Sequence, residues 1–152
     1  MASHSMLAVS AWEALFRAQV TVMRQLSREF PKELSLNEYD LLFNLSSQGG
    51  TARLKDLTER LLLSQPSVSR LVDRLVDRGL VEKCPDAADR RGAMVRLTED
   101  GSRLYRQAAV RHAESIARVV GGALDDAQLV ALRTLSLQLH RECPGSPEKR
   151  NA

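Results

Sequence analysis

The run Leu63-Ser64-Gln65-Pro66-Ser67-Val68-Ser69-Arg70-Leu71-Val72-Asp73-Arg74-Leu75 decides how this chain is read. Ser64 carries the short hydroxyl side chain that caps a helix N-terminus. Pro66 falls in the first turn, where a missing N–H costs little. Val68, Leu71, Val72, Leu75 and Val76 then recur at i, i+3, i+4, i+7 and i+8, one apolar stripe along a helix. Gly79 supplies the stop. The opposite face presents Ser64, Gln65, Ser67, Ser69, Arg70, Asp73, Arg74 and Arg78. Hydroxyls and an amide at the front of a helix reach the base edges of duplex DNA without steric conflict, and arginines further along reach phosphate oxygens. The same face could equally be a solvated polar surface, with Asp73 and Asp77 spaced for intrahelical pairs with Arg70, Arg74 or Arg78.

The segment C-terminal to this helix tips that balance. Residues 80–83 read as a short strand, 84–92 as a polar loop containing Pro85, and 93–97 as a second, alternating strand. The loop tip is Asp89-Arg90-Arg91-Gly92. An acid two residues before an arginine can hold the guanidinium in one direction, and a tip arginine so held suits the narrow, negative minor groove. A helix and a hairpin in this order make a weak case for a merely charged surface.

Upstream, Trp12, Leu15, Phe16, Val20, Met23, Leu26 and Phe30 recur at spacings of three and four, which predicts a helix over 9–30 ended by Pro31. Ser35 with Glu38 forms a capping box for a second helix through Tyr39, Leu42, Phe43 and Leu45. Gln48-Gly49-Gly50 breaks it, Thr51-Ala52-Arg53 reads as a short strand, and a third helix covers 54–62. Downstream, Thr98 caps a long fifth helix through Leu104, Ala108, Ile116 and Val120, interrupted at Gly121-Gly122. Asp125 starts a last helix carrying Leu129, Leu132, Leu135 and Leu139. The fold class expected is mainly α with a small two- or three-stranded β wing, a winged helix-turn-helix dimer. Residues 1–34 form an N-terminal dimerisation helix, 35–98 the winged module, 99–143 the C-terminal dimerisation helices and 144–152 a disordered polar tail. The end helices are apolar on one face yet lie outside the module, and a second copy is the economical cover.

The bulk numbers agree. The 152 residues are 43% apolar, enough for one core without disulfides or metals, and there are only two cysteines. The net charge is +3, a mild excess that proves nothing unless it collects on one face. Aromatic residues make up 4%, which argues against single-strand binding by base stacking. No stretch reaches the roughly 20 apolar residues of a membrane span. The opening Met-Ala-Ser-His-Ser lacks the marks of a signal peptide, is compatible with a cloning remnant, and is set aside; a cytoplasmic location is expected. No nucleophile motif, phosphate-binding glycine loop or metal-protease helix occurs, so neither an enzyme nor a cofactor is expected.

Residues 63–75, followed by Arg78-Gly79-Leu80-Val81, resemble the recognition helix and following strand of the MarR family, the multiple antibiotic resistance regulators. Asp89-Arg90-Arg91, then Val95-Arg96-Leu97-Thr98 and Gly101, is similar to that family's wing signature. The resemblance covers roughly 7–139. It implies an obligate dimer, triangular in outline, whose first, fifth and sixth helices form the interface. It implies a transcriptional regulator, a repressor in the first instance, that changes its grip on a pseudo-palindromic operator when a small aromatic or phenolic effector binds. By the same resemblance Arg91 enters the minor groove with Asp89 orienting it. Ser64, Gln65, Ser67 and Arg70 face the major groove or its phosphates, and Ser69, Arg74 and Arg90 complete the DNA-facing set.

The family's effector pocket lies between the dimer helices and the winged module, where Trp12, Phe16 and Phe43 are candidate lining residues and also candidate core. Cys84, beside Lys83 at the edge of the wing, leaves open a cysteine-based redox switch. His140 and Cys143, three apart, are too few for a closed metal site. A winged helix used for protein contact, without DNA, is the remaining alternative.

Overall fold

The computed structural model describes residues 3–61 and 63–143. Its elements are α1 (His4–Glu29), α2 (Leu36–Ser47), β1 (Thr51–Arg53), α3 (Leu54–Arg60), α4 (Gln65–Asp77), β2 (Val81–Pro85), β3 (Ala93–Leu97), α5 (Glu99–Ile116) and α6 (Asp126–Glu142). The three strands form one antiparallel sheet in the order β1-β3-β2, with Ala52 opposite Val95 and Val81 opposite Leu97. This is a winged helix-turn-helix with a helix added before it and two after it.

The helix ends follow the sequence chemistry. Ser35 accepts the Glu38 N–H at 3.2 Å while the Glu38 carboxylate accepts the Ser35 N–H at 2.8 Å, so both orphan donors are satisfied. Asp125 and Gln128 repeat that exchange at the start of α6. α4 closes on Gly79, whose φ of +70° a side chain resists. There the Leu80 N–H donates to the Leu75 carbonyl and the Gly79 N–H to the Val76 carbonyl, each at 2.9 Å, the pattern that satisfies the last carbonyls of a helix.

The core sits inside the winged module. Leu41, Leu42 and Leu45 of α2, Leu57 of α3, Val68, Leu71, Val72 and Leu75 of α4, Val81 of β2 and Val95 of β3 are all essentially inaccessible. Each such side chain contributes about 1.5–3 kcal/mol relative to exposure. Of the stripe read on α4, only Val76 departs, standing partly in solvent. The end helices are the reverse: Met6, Trp12 and Phe16 on α1 and Val130, Leu135 and Leu139 on α6 are all more than half exposed in the single chain.

Several expected boundaries move. α1 begins at His4 rather than at residue 9, because Ser3, in the segment set aside, caps it by accepting the Met6 N–H. β2 runs on through Cys84 and Pro85; it is an edge strand paired only with β3, where a proline's missing N–H is tolerated. α3 ends at Arg60, and Leu62 lies outside the described residues, as does the tail from residue 144 expected to be disordered. α5 does not stay α-helical to Val120: from Ala117 to Gly121 it widens into a single π-helical stretch.

Candidate nucleic-acid interface

α4 exposes a polar face that its caps and core contacts fix in place. At the front, Ser64 Oγ lies 2.9 Å from Ser67 Oγ and accepts the Ser67 N–H, while Arg70 Nη2 reaches Ser67 Oγ at 3.4 Å. The helical turn divides this face. Ser67, Arg70 and Arg74 line a notch with Asn37 of α2, floored by Leu63 and Leu71. Gln65 lies on the other flank, in a cleft bounded by Lys55, Thr58 and Glu59 of α3 and by Lys83, Asp89 and Arg91 of the wing. Ser69 sits between the two flanks, half-buried.

The wing is built at its neck. Asp86, 7% exposed, accepts the Ala88 N–H at 2.9 Å and pairs with Arg53 Nε of β1 at 2.9 Å, and its own N–H donates to the Gly92 carbonyl. One carboxylate thus closes the loop and pins it to the sheet. At the tip, Asp89 Oδ1 accepts the main-chain N–H of Arg91 at 3.0 Å, and the Gly92 N–H donates to the Asp89 carbonyl at 2.9 Å. Asp89 does restrain Arg91, but through the backbone rather than by the direct hold on the guanidinium that its spacing suggested. An Asx turn two residues long reaches the N–H before it can reach a long side chain. Arg90 and Arg91 both project into solvent.

Which cations the fold itself uses is the informative contrast. Arg53 pairs with Asp86, Lys83 with Asp73 at 3.2 Å, Arg96 with Glu82 across the β2–β3 pair, and Arg78 with Glu38 at 3.2 Å. The intrahelical pairs that the spacing left open to Asp73 and Arg78 do not form, because each finds a partner on a neighbouring element. Arg70, Arg74, Arg90 and Arg91 have no ion pair among the described residues. Four free guanidinium groups therefore remain on the helix face and the wing tip.

The residues read as lining an effector pocket are only partly brought together. Trp12 and Phe16 stack with ring centroids 6.2 Å apart on the exposed face of α1, and Phe16 borders a shallow groove with Val20 and Met23. Phe43 is exposed on α2 and touches neither ring. Instead Phe30, Tyr39, Tyr105 and His112 form an aromatic cluster where α1, α2 and α5 meet, with centroids 5.0 to 5.5 Å apart. Burial holds the His112 imidazole below its ordinary pKa, and its Nδ1 is buried without a hydrogen-bond partner. The sequence offered no sign of this cluster, because its members come from three helices. Cys84 and Cys143 are free and exposed. Lys83 engages Asp73, so its ammonium is directed to α4. Among the described residues no group of three or more metal-ligating side chains gathers, and no helix is long and apolar enough to cross a membrane.

Comparison with known proteins places this geometry. The sequence model described as "MarR family" matches residues 32–92. An uncharacterised HTH-type transcriptional regulator of Bacillus subtilis, YhbI, is 32% identical over 136 residues, covering 90% of this chain and 86% of its own. The crystal structure of AbsC, a MarR family transcriptional regulator from Streptomyces coelicolor, superposes with a TM-score of 0.74 at 26% identity, over 93% of this chain and 99% of AbsC. BpsR of Bordetella bronchiseptica, whose DNA binding is regulated by 6-hydroxynicotinic acid, gives 0.75 at 29% identity, over 86% and 98%.

Proposed function

The chain belongs to the MarR family of transcriptional regulators, DNA-binding proteins of the winged helix-turn-helix class, and from that premise we propose that it is a homodimeric repressor of an inverted-repeat operator. The observation that carries this reading is the set of unpaired guanidinium groups. Arg70 and Arg74 on α4 and Arg90 and Arg91 at the wing tip stay free, while Arg53, Lys83, Arg78 and Arg96 around them are each committed to a carboxylate. α4 enters the major groove, with Ser64, Gln65, Ser67 and Ser69 nearest the bases, and Arg91 enters the adjacent minor groove with Asp89 fixing its main chain. Residues 35–98 form the reading module, and 1–34 with 99–143 form the dimer. The apolar side chains that α1 and α6 leave exposed support that division. No catalytic role is part of this reading, and its place of action is the cytoplasm, where the DNA is.

Release is proposed to follow binding of a hydroxylated aromatic acid or phenol near Trp12 and Phe16. The stacked pair on α1 and the regulation of the related BpsR by 6-hydroxynicotinic acid support this class of effector. Such a molecule shifts the protein only by its difference in affinity between the DNA-competent and incompetent forms.

Selection from random duplex DNA tests the operator claim, with sedimentation of the free protein alongside. The expected result is an inverted repeat whose half-site centres lie about 10 base pairs apart, bound by a dimer. A monomer at micromolar concentration, or selected sites with no repeat, overturns the reading. Titration with aromatic acids, followed by fluorescence of Trp12, the single tryptophan, tests release. A compound that binds without changing DNA affinity contradicts the coupling.

A further inference from the structure

We infer that the notch between α2 and α4 seats a backbone phosphate of the duplex, and that Asn37 holds it together with Arg70 and Arg74. The inference rests on the proposed placement of α4 in the major groove. An α-helix with its side chains is about 10–12 Å across and the major groove is about 12 Å wide. A helix lying in it therefore fills the groove, and the side chains on its flanks, rather than its leading edge, meet the two walls of phosphate.

The two flanks of α4 differ in charge. On the wing side the cleft around Gln65 contains Lys55, Lys83 and Arg91 but also the carboxylates of Glu59 and Asp89. On the α2 side the notch is lined by Asn37, Leu63, Ser67, Arg70, Leu71 and Arg74, two cations with no acid among them. Neither arginine has an ion pair, and the Asn37 carboxamide makes no side-chain hydrogen bond among the described residues. The Ser67 hydroxyl accepts from Arg70 Nη2 at 3.4 Å, which keeps that guanidinium at the edge of the notch. Two apolar floor residues give the notch no other anion-neutralising group. Its charged groups are two guanidiniums with no carboxylate to offset them, and the Asn37 amide and Ser67 hydroxyl add neutral donors beside them, which suits the oxygens of a phosphodiester.

Asn37 thus becomes a DNA contact on a helix that does not enter a groove. Its role differs from that of Gln65: it strengthens binding without reading sequence.

The test uses the full-length protein and the best duplex recovered by selection, beside a scrambled duplex of the same length. Asn37→Ala is expected to weaken both by the same factor, about three- to tenfold, the size of one lost hydrogen bond. Arg74→Gln is expected to weaken both and to reduce the slope of log affinity against log salt by about 1. Asn37→Asp, which sets a carboxylate against the phosphate, is expected to lose more than Asn37→Ala at an unchanged unfolding midpoint. Neutral methylphosphonate is then placed at one backbone position at a time. At one position in each half-site the effects of Asn37→Ala and Arg74→Gln should both vanish. Full additivity at every position, a change in base preference, or wild-type affinity for Asn37→Ala overturns the phosphate seat. If Gln65→Ala and Arg91→Ala are silent as well, the groove assignment itself has failed; if they act and Asn37 does not, only the seat is wrong.

Discussion

Arg78 Nη1 lies 3.2 Å from Glu38 Oε1, forty residues earlier in the chain, and its Nη2 donates to the Glu33 carbonyl at 2.5 Å. One guanidinium therefore ties the rear of α4 to the turn that leaves α1 and to the first turn of α2. Glu38 is 9% exposed, and its other oxygen already accepts the Ser35 N–H. Arg78→Met leaves that carboxylate buried beside an apolar chain, at a cost of about 1–3 kcal/mol. Thermal unfolding at fixed protomer concentration should show a midpoint lowered by about 2–4 °C per kcal/mol. The double variant Arg78→Met/Glu38→Gln should recover part of the loss, since the two effects are coupled. Strict additivity contradicts the pairing.

The tip of the wing makes a finer distinction. Because Asp89 Oδ1 accepts from the Arg91 main chain, an amide oxygen can replace it. Asp89→Asn is expected to keep most DNA affinity, Asp89→Ala to lose some, and Arg91→Ala to lose the most, across all good sites. Binding titrations on one duplex give the order. A loss for Asp89→Asn as large as for Asp89→Ala shows that the carboxylate charge matters, and not the turn.

Gly101 has no room for a side chain. A Cβ there would lie 1.9 Å from the Leu80 carbonyl oxygen, which is backbone and cannot rotate away. Gly101→Ala must push the first turn of α5 off the start of β2, with loss of more than about 3 kcal/mol, in the range of severe strain effects. Soluble yield and the unfolding midpoint report it. A wild-type midpoint means that the helix and strand separate more easily than this contact implies.

His112 makes stability depend on pH. Burial lowers its pKa below 6.5, so the unfolded chain takes up a proton more readily than the folded one. Its contribution is complete above 6.5 and falls as the pH drops through 6.5 toward the lowered folded value. Tyr39 and Tyr105 share its cluster, and burial raises the Tyr39 pKa further from this range. The unfolding midpoint should fall on acidification below about pH 6.5, and His112→Phe should flatten that part of the profile. Asp40, raised by burial, acts in the opposite direction at lower pH, so the difference between the two proteins isolates the histidine. Parallel profiles refute the assignment.

Legibility in the sequence tracks distance along the chain. The caps at Ser64, Ser35 and Asp125 depend on partners three residues away and could be read directly, as could the apolar stripe of α4 and the alternation of β3. Asp86 with Arg53, Asp73 with Lys83 and Arg78 with Glu38 could not, since each joins elements that only the fold brings together. Those pairs decide which cations remain free, so the candidate contact residues were readable as a list but not as two flanks with different charge. Asn37 carried no mark at all, being one polar residue in the first turn of α2. The aromatic cluster was hidden for the same reason. Periodicity placed Phe30 on an apolar face, but nothing local says that Tyr39, Tyr105 and His112 would meet it.

The missing side chain at Gly101 also has a mechanical meaning. Thr98 Oγ1 donates to the Gly79 carbonyl at 2.8 Å and the Thr98 N–H to the Leu80 carbonyl at 3.2 Å, directly beneath that close approach. The front of α5 and the rear of α4 are thereby joined by one main-chain bond and one short threonine side chain, with the close approach at Gly101 leaving little slack between them. The eighteen residues of α5 make a lever about 27 Å long. Sideways travel of about 2 Å at its far end corresponds to a rotation of roughly 4° at that joint, which borders the helix bearing Arg70 and Arg74.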